Sequence, residues 1–301
     1  MGVSVEGSEA VWPDEKNTAL LPQFDIFNRQ NHYIDIFNRG KGGLDFIIKT
    51  DNNWIILKRT NGTFGFDYRV WVTIDWDKIP TGQNTGTVRI SGTTTEVPVT
   101  INAFKPDEPT RESLTGFVEG NGYVSIEAEH STKSSNEGDS RWLRIENYGH
   151  TLSAMRSTAR VDAAPAIPGK NAPCIEYKIY FFTTGTFEVT AIFAPTLNYL
   201  AGRGLQYAIS FDNEIPQVIN LVPEEYNARN GNSDWEKTVS DNARFSKSTH
   251  NINSSGYHIL KIFRIDPGVV LQKMIVNTGG LKPSYLGPPE SYHNKIEAFR
   301  K

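Results

Sequence analysis

The sequence predicts an all-β chain built of two β-sandwich domains, and three observations carry that expectation. Its 301 residues are about twice the length of a typical single domain. Twenty-five Gly, sixteen Pro and an 11% aromatic content divide it into short β-branched and aromatic runs bounded by turn residues. Period-two alternation recurs, as in Tyr68-Arg69-Val70-Trp71-Val72-Thr73-Ile74, whereas no window holds the i, i+3, i+4, i+7 stripe of a long amphipathic helix.

The elements can be taken in chain order. Asp25-Ile26-Phe27-Asn28-Arg29 recurs as Asp35-Ile36-Phe37-Asn38-Arg39, which reads as two adjacent strands of a hairpin with Gln30-Asn31-His32 between them. Strand signals continue at Gly43–Lys49, Trp54–Arg59, Phe66–Ile74, Gly86–Ile90 and Glu96–Ala103. About seven short antiparallel strands in some 100 residues fit an immunoglobulin-like sandwich, here residues 1–112. The stretch Lys105-Pro106-Asp107-Glu108-Pro109-Thr110-Arg111-Glu112-Ser113 is charged, holds two prolines and lacks apolar periodicity, so it reads as a linker. The second domain, residues 113–301, opens at Tyr123–Ala128 and continues through Cys174–Phe182, Phe187–Phe193, Leu205–Phe211, Val218–Val222, Gly256–Arg264 and Val269–Val276. Several long loops between those runs suit a jelly-roll sandwich that recognises ligands with its loops.

Composition removes several function classes. Lys plus Arg total 31 and Asp plus Glu 34, a formal charge of −3, so no cationic field draws nucleic acid or an anionic membrane. Apolar runs of a few residues cannot span a bilayer, and the first ten residues lack a signal-peptide layout. Cys174, the one cysteine, can form no internal disulfide and sits in a strand pattern as a small buried hydrophobe. Six scattered histidines and the lack of a Gly-x-Ser-x-Gly elbow or a phosphate loop remove support for nucleophilic and zinc chemistry.

The second half carries a resemblance. The run Gly202-Arg203-Gly204-Leu205-Gln206-Tyr207-Ala208-Ile209-Ser210-Phe211-Asp212, then Asp266-Pro267-Gly268-Val269-Val270-Leu271-Gln272-Lys273, then Asn277-Thr278-Gly279-Gly280-Leu281-Lys282-Pro283-Ser284-Tyr285-Leu286-Gly287-Pro288-Pro289-Glu290-Ser291 resemble the C-terminal region of glycoside hydrolase family 115 over about residues 116–293. That family comprises xylan α-1,2-glucuronidases, whose catalytic carboxylates lie in an upstream α/β barrel. The present chain shows no alternation of strands with helical patterns that could build a barrel, so no catalytic residue is carried over. The first half, through Trp71–Trp76, Thr85–Ile90 and Val97–Ile101, resembles small immunoglobulin-like modules of polysaccharide-degrading enzymes of gut Bacteroidetes.

Candidate site residues fall into two groups. Ile126-Glu127-Ala128-Glu129-His130 is similar to the Glu-Ala-Glu that opens carbohydrate-binding jelly rolls, where it helps hold a structural Ca²⁺. Asp266, ahead of the last strand, would join Glu127 and Glu129 as a ligand; the competing reading leaves both glutamates solvated on one strand face. Trp142, Tyr148, Tyr199, Tyr226 and Trp235, in or beside loops, are candidate platforms for pyranose rings, against the alternative that they fill the core. Arg203, framed by Gly202 and Gly204, could fork onto a uronate carboxylate, or pair internally with Asp212 or Asp266. Pro283-Ser284-Tyr285-Leu286-Gly287-Pro288-Pro289 is too poor in backbone donors for a central strand and should lie pinned across a surface, suited to docking on another domain or subunit.

The resemblance implies an accessory, non-catalytic region of an extracellular or periplasmic xylan glucuronidase. It would support the catalytic domain of the parent chain and contact plant xylan or glucuronoxylan oligosaccharide, or a second copy in a homodimer, with no nucleic acid or membrane partner. The alternative is a free-standing carbohydrate-binding module or surface glycan-binding protein.

Overall fold

A computed structural model describes residues 1–92, 94–138, 140–200 and 202–294. Asp139, Ala201 and residues 295–301, which the expected second domain includes, lie outside the described residues. The chain divides into two compact units, Met1–Ser113 and a second beginning at Leu114. Each is a β-sandwich, and Ser233–Asp241 is the one α-helix among the described residues. No helix among them is long and apolar enough to cross a membrane.

In the first unit, a sheet of Gly2–Val5, His32–Phe37, Asp67–Ile74 and Ile55–Leu57 forms one layer. The other contains Ala19–Leu20, Thr95–Lys105, Gly82–Gly92, Leu44–Thr50 and Asn61–Phe64, with Phe24–Asp25 along Thr95–Lys105. The alternation read in the sequence becomes the core. Leu44, Phe46 and Ile48 point inward between Asp45, Ile47 and Lys49, and Val97, Val99, Ile101 and Ala103 line the same inner face of that sheet. The repeated segment is not a hairpin. His32–Phe37 pairs with Gly2–Val5 and Asp67–Ile74, while the first copy leaves its short strand at Asp25 and turns. Asp25 causes the difference: its buried carboxylate accepts from the Asn28 backbone N–H at 2.7 Å and from the Asn28 and Gln30 side-chain amides, so the chain curls around it.

In the second unit, one sheet runs Gln217–Val222, Leu205–Phe211, Gly256–Arg264, Cys174–Phe181, Gly116–Val118 and His293–Asn294, with Lys133–Ser135 also on Cys174–Phe181. The facing sheet runs Trp142–Ile145, Ala154–Ser157, Val270–Asn277, Gly185–Phe193 and Arg244–Ile252, with Tyr123–Glu127 on Val270–Asn277. Phe117, Ile126, Tyr177, Ile179, Phe193, Tyr207, Leu260 and Met274 meet between the layers. Gly122 closes the turn beside Tyr123 at φ +77°, and an added Cβ would stand 2.4 Å from the Gly280 backbone.

The proline-rich segment after Val270–Asn277 lies pinned across the outside of that second sheet. Ser291 N donates to Ser125 O at 2.9 Å, Ser125 Oγ to Pro288 O at 3.1 Å, and Lys273 Nζ to Pro288 O at 2.9 Å. Beneath it, Leu281 packs against Ile192, Ala243 and Ile275. Pro283, Pro288 and Pro289 offer no N–H for a ladder, so side-chain and isolated backbone bonds hold this strap.

Cys174 is 5% exposed, against Ala172, Ala208 and Phe263. Burial pushes its thiol pKa up to about 12. A neutral-pH thiol probe is expected to leave Cys174 unmodified in the folded chain and to label it fully in urea, as followed by mass spectrometry. Fast labelling of the native chain would contradict this burial.

Candidate functional site

The helix Ser233–Asp241 and the strand Arg244–Ile252 that follows it shape a cleft. The Asn232 side-chain oxygen accepts from Asp234 N at 3.1 Å and Trp235 N at 3.3 Å, capping the helix, and Asp234 and Glu236 sit at its positive end. Asn242 ends it with a left-handed φ of 47°. Two residues later Arg244, 6% exposed, ties three elements together. Its guanidinium donates to Leu221 O, to Thr238 Oγ1 at 3.2 Å and to Asp234 Oδ2, and lies 4.7 Å above the Tyr226 ring.

This arrangement leaves a cleft of about 270 Å³ lined by Asn220, Pro223, Asp234, Lys237, Arg244, Phe245 and Ser246. Phe245 points outward from its strand and is 41% exposed, with Lys237 Nζ 5.9 Å from its ring centre. His150 stands edge-on to Phe245 at 6.3 Å and lies 5.8 Å from Tyr285 of the strap, which is 66% exposed. Tyr285 OH in turn donates to Asp241 O at 3.3 Å, fastening the strap to the helix end. Exposed ring faces thus border a cleft rich in hydrogen-bonding side chains, the combination that sugar rings use through their C–H faces and hydroxyls.

The residues singled out in the sequence are dispersed. Trp142 is 2% exposed in the main core, so it offers no face to a sugar; its strand turns it inward into the cluster that also holds Met155 and Ile126. Tyr226 is buried beneath Arg244, and Trp235 packs against the core from the helix's inner side. Tyr148 is 49% exposed on the loop that also carries His150, and its carbonyl accepts from Gln272 Nε2 at 2.9 Å. Tyr199 is 41% exposed, with its hydroxyl donating to Pro267 O. The adjacent Asn198 donates to Glu224 O at 2.7 Å and to Pro223 O, so the Tyr199 loop is tied to the rim of the cleft. Phe245, Lys237 and Arg244 escaped the sequence reading; the Asn232-Ser233-Asp234 cap followed by acidic Glu236 was the available signal for their helix.

The three carboxylates expected to gather around calcium do not converge. Glu127 pairs with Lys273 at 3.0 Å, both almost fully buried, and Lys273 is its cross-strand partner. Glu129 accepts from Arg144 Nη1 at 3.0 Å and from Ser153 N at 3.1 Å. Asp266, 0% exposed, accepts from Gln206 N at 2.8 Å and is paired with Arg203. Each carboxylate therefore already faces a protein cation, and Arg203 is committed to Asp266 rather than free for a uronate. Among the described residues, the group of at least three His, Cys, Asp or Glu side chains whose ligand atoms approach within 4.8 Å is instead His130, Glu290 and His293.

Burial raises the Asp266 pKa, opposed by the Gln206 amide and by Arg203. A raised folded pKa means that the folded chain holds this proton at pH values where the unfolded chain has lost it, so the ionised carboxylate costs stability above that window. Removing Arg203 deepens the cost at neutral pH, and the cost fades as acid protonates Asp266. Arg203→Ala is expected to lose about 2 kcal/mol at neutral pH. In urea melts the gap to wild type is expected to narrow steadily toward the ordinary aspartate range near pH 4; a gap independent of pH would contradict the pairing.

Exposed rings beside a polar cleft, carried by a jelly-roll sandwich, have the build of a recognition module. Residues 116–290 match the Glycosyl hydrolase family 115 C-terminal domain, more than half of the chain, so the chain belongs to that family. No curated protein matches it. Among solved structures, it is similar to the family GH115 4-O-methyl-alpha-glucuronidase BtGH115A, described as having specificity for decorated arabinogalactans, with 18% identity and a TM-score of 0.40 over 51% of this chain and 17% of that one. It is also similar to the C-terminal CBM6 of LamC from Zobellia galactanivorans, with 12% identity and a TM-score of 0.33 over 52% of this chain and 98% of that one. A family 35 carbohydrate binding module from Clostridium thermocellum shows 10% identity and a TM-score of 0.33 over 51% and 96% respectively.

Proposed function

We propose that the chain is the accessory, non-catalytic C-terminal region of a family 115 glycoside hydrolase, with a catalytic domain elsewhere in the parent protein, acting outside the cytoplasm on plant glycan. In this reading residues 1–112 are a spacer sandwich and residues 113–301 recognise glucuronate-bearing glycan, glucuronoxylan first. The observation that supports it best is the exposed Phe245 ring beside a cleft carrying Asn220 and Lys237. The ring offers an apolar face to a pyranose, the exposed Asn220 offers bonds to hydroxyls, and the exposed Lys237 ammonium, which rests on Asp241 at 2.7 Å, has further donors for a uronate carboxylate. Tyr148 and Tyr199 extend the contact along the rim. The parent's catalytic domain, or a second copy forming a homodimer, would pack on the exposed Tyr285–Leu286 of the strap.

Calorimetric titration of the full chain with glucurono-xylo-oligosaccharide tests this, with decorated arabinogalactan oligosaccharide as a parallel arm. Binding of either is expected, weakened about ten-fold in Phe245→Ala from loss of the ring contact, with no glucuronic acid released. Failure of both glycans to bind at millimolar concentration, or equal affinity in Phe245→Ala, would remove the proposal.

A further inference from the structure

At the end of the strap, two imidazoles converge on one carboxylate. His130 Nδ1 lies 2.8 Å from Glu290 Oε1 and 3.0 Å from Oε2, and His293 Nε2 lies 3.5 Å from Oε2. The two imidazole rings are 4.9 Å apart, centre to centre. Bonds of about 2.0–2.1 Å to a tetrahedral cation place neighbouring donor atoms about 3.3 Å apart. The observed spacings bracket that value, so small side-chain adjustments suffice.

We infer that His130, Glu290 and His293 form a site for a divalent transition cation, Zn²⁺ foremost, that fastens the closing segment of the jelly roll to its first strands. Two imidazoles with one carboxylate form a donor set suited to such ions and unsuited to calcium, which takes oxygen ligands. The surrounding structure holds the donors in place. Glu127 N donates to Glu290 Oε1 at 3.0 Å, His130 N donates to Glu127 O at 3.0 Å, and the Phe117 ring lies 5.0 Å from His293. The site is also open: the three side chains are 32%, 18% and 29% exposed, leaving room for water as a further ligand.

The placement gives the ion a purpose. His130 follows the strand Tyr123–Glu127, whereas Glu290 ends the strap and His293 belongs to the final strand, paired with Phe117. One cation would thus cross-link segments separated by 160 residues in sequence. The Glu290-x-x-His293 spacing went unread because its partner histidine lies 160 residues upstream, just past the strand Tyr123–Glu127.

The test uses the full chain, stripped with chelator and desalted, then titrated with ZnCl₂ or CoCl₂ alone. One equivalent of metal is expected to bind, with visible d–d absorption from Co²⁺ and a raised melting temperature with Zn²⁺ but not with Ca²⁺. His130→Gln and His293→Gln are each expected to weaken binding about ten-fold or more, whereas His150→Gln leaves it intact. On the wild-type chain, Zn²⁺ should shift the ring ¹⁵N signals of His130 and His293, a readout independent of how the variants fold. Absence of stoichiometric uptake, movement confined to other histidines, or unchanged affinity in folded His130→Gln and His293→Gln would overturn the inference and leave a hydrogen-bonded His–Glu cluster.

Discussion

Lys273→Ala is expected to cost the second unit about 3–5 kcal/mol, because it strands a buried carboxylate. Glu127 and Lys273 have side-chain exposures of 2% and 1% and stand 3.0 Å apart as cross-strand partners. Thr151 Oγ1 donates to the same Glu127 oxygen, and the other oxygen has no hydrogen-bond partner among the described residues. The ammonium therefore supplies the chief compensation for this charge, and its second bond, to Pro288 O, holds the strap. Calorimetry is expected to show a fall of roughly 10 °C in melting temperature for a unit of this size. Glu127→Gln combined with Lys273→Met should recover most of the loss, since neutral residues of similar volume need no counter-charge. A single variant as stable as wild type would contradict the buried pair.

Arg244→Ala is expected to remove both stability and glycan binding. The side chain is 7% exposed and joins Leu221 O, Thr238 and Asp234 while stacking on Tyr226, so its loss severs the strand, helix and ring contacts at once. About 3 kcal/mol of stability should go with it, and the helix that walls the cleft should come loose. Arg244→Lys should restore little, because one ammonium cannot reproduce a planar fork spread over three acceptors. Phe245→Ala, at an exposed position on the next residue, should lose affinity while its urea melt stays within about 0.5 kcal/mol of wild type. That contrast separates the residue that builds the cleft from the one that meets the sugar at its border; equal stability losses in Arg244→Ala and Phe245→Ala would contradict it.

How much of this could be read from the sequence depended on where polarity pointed. Strands with apolar inward faces, such as Leu44–Thr50 and Cys174–Phe181, announced themselves by alternation. Arg244–Ile252 did not, because its inward residues are Arg244, Ser246, Ser248 and His250, while Phe245 faces out. Those polar groups are paired across the sandwich, Ser246 with Tyr207 OH at 2.8 Å and His250 with Glu214 at 2.8 Å, and partners so remote in sequence leave no local mark. The strap was legible because proline chemistry alone bars it from a ladder. The Glu-Ala-Glu motif misled for the opposite reason: carboxylate spacing suggests a cation, but it does not say whether the cation is an ion or Lys273 and Arg144. Trp142 misled because one aromatic beside a charged neighbour looks the same in a loop and in a core strand.

The most direct test of the central claim is a titration of ¹⁵N-labelled chain with glucurono-xylo-oligosaccharide, followed by two-dimensional NMR of the protein amides and by the sugar's own signals. The amides of Asn220, Lys237, Phe245 and Ser246 are expected to shift together and saturably while the oligosaccharide stays intact. Amides that stay still at millimolar sugar, or the appearance of free glucuronic acid, would contradict a non-catalytic recognition module with its site in this cleft.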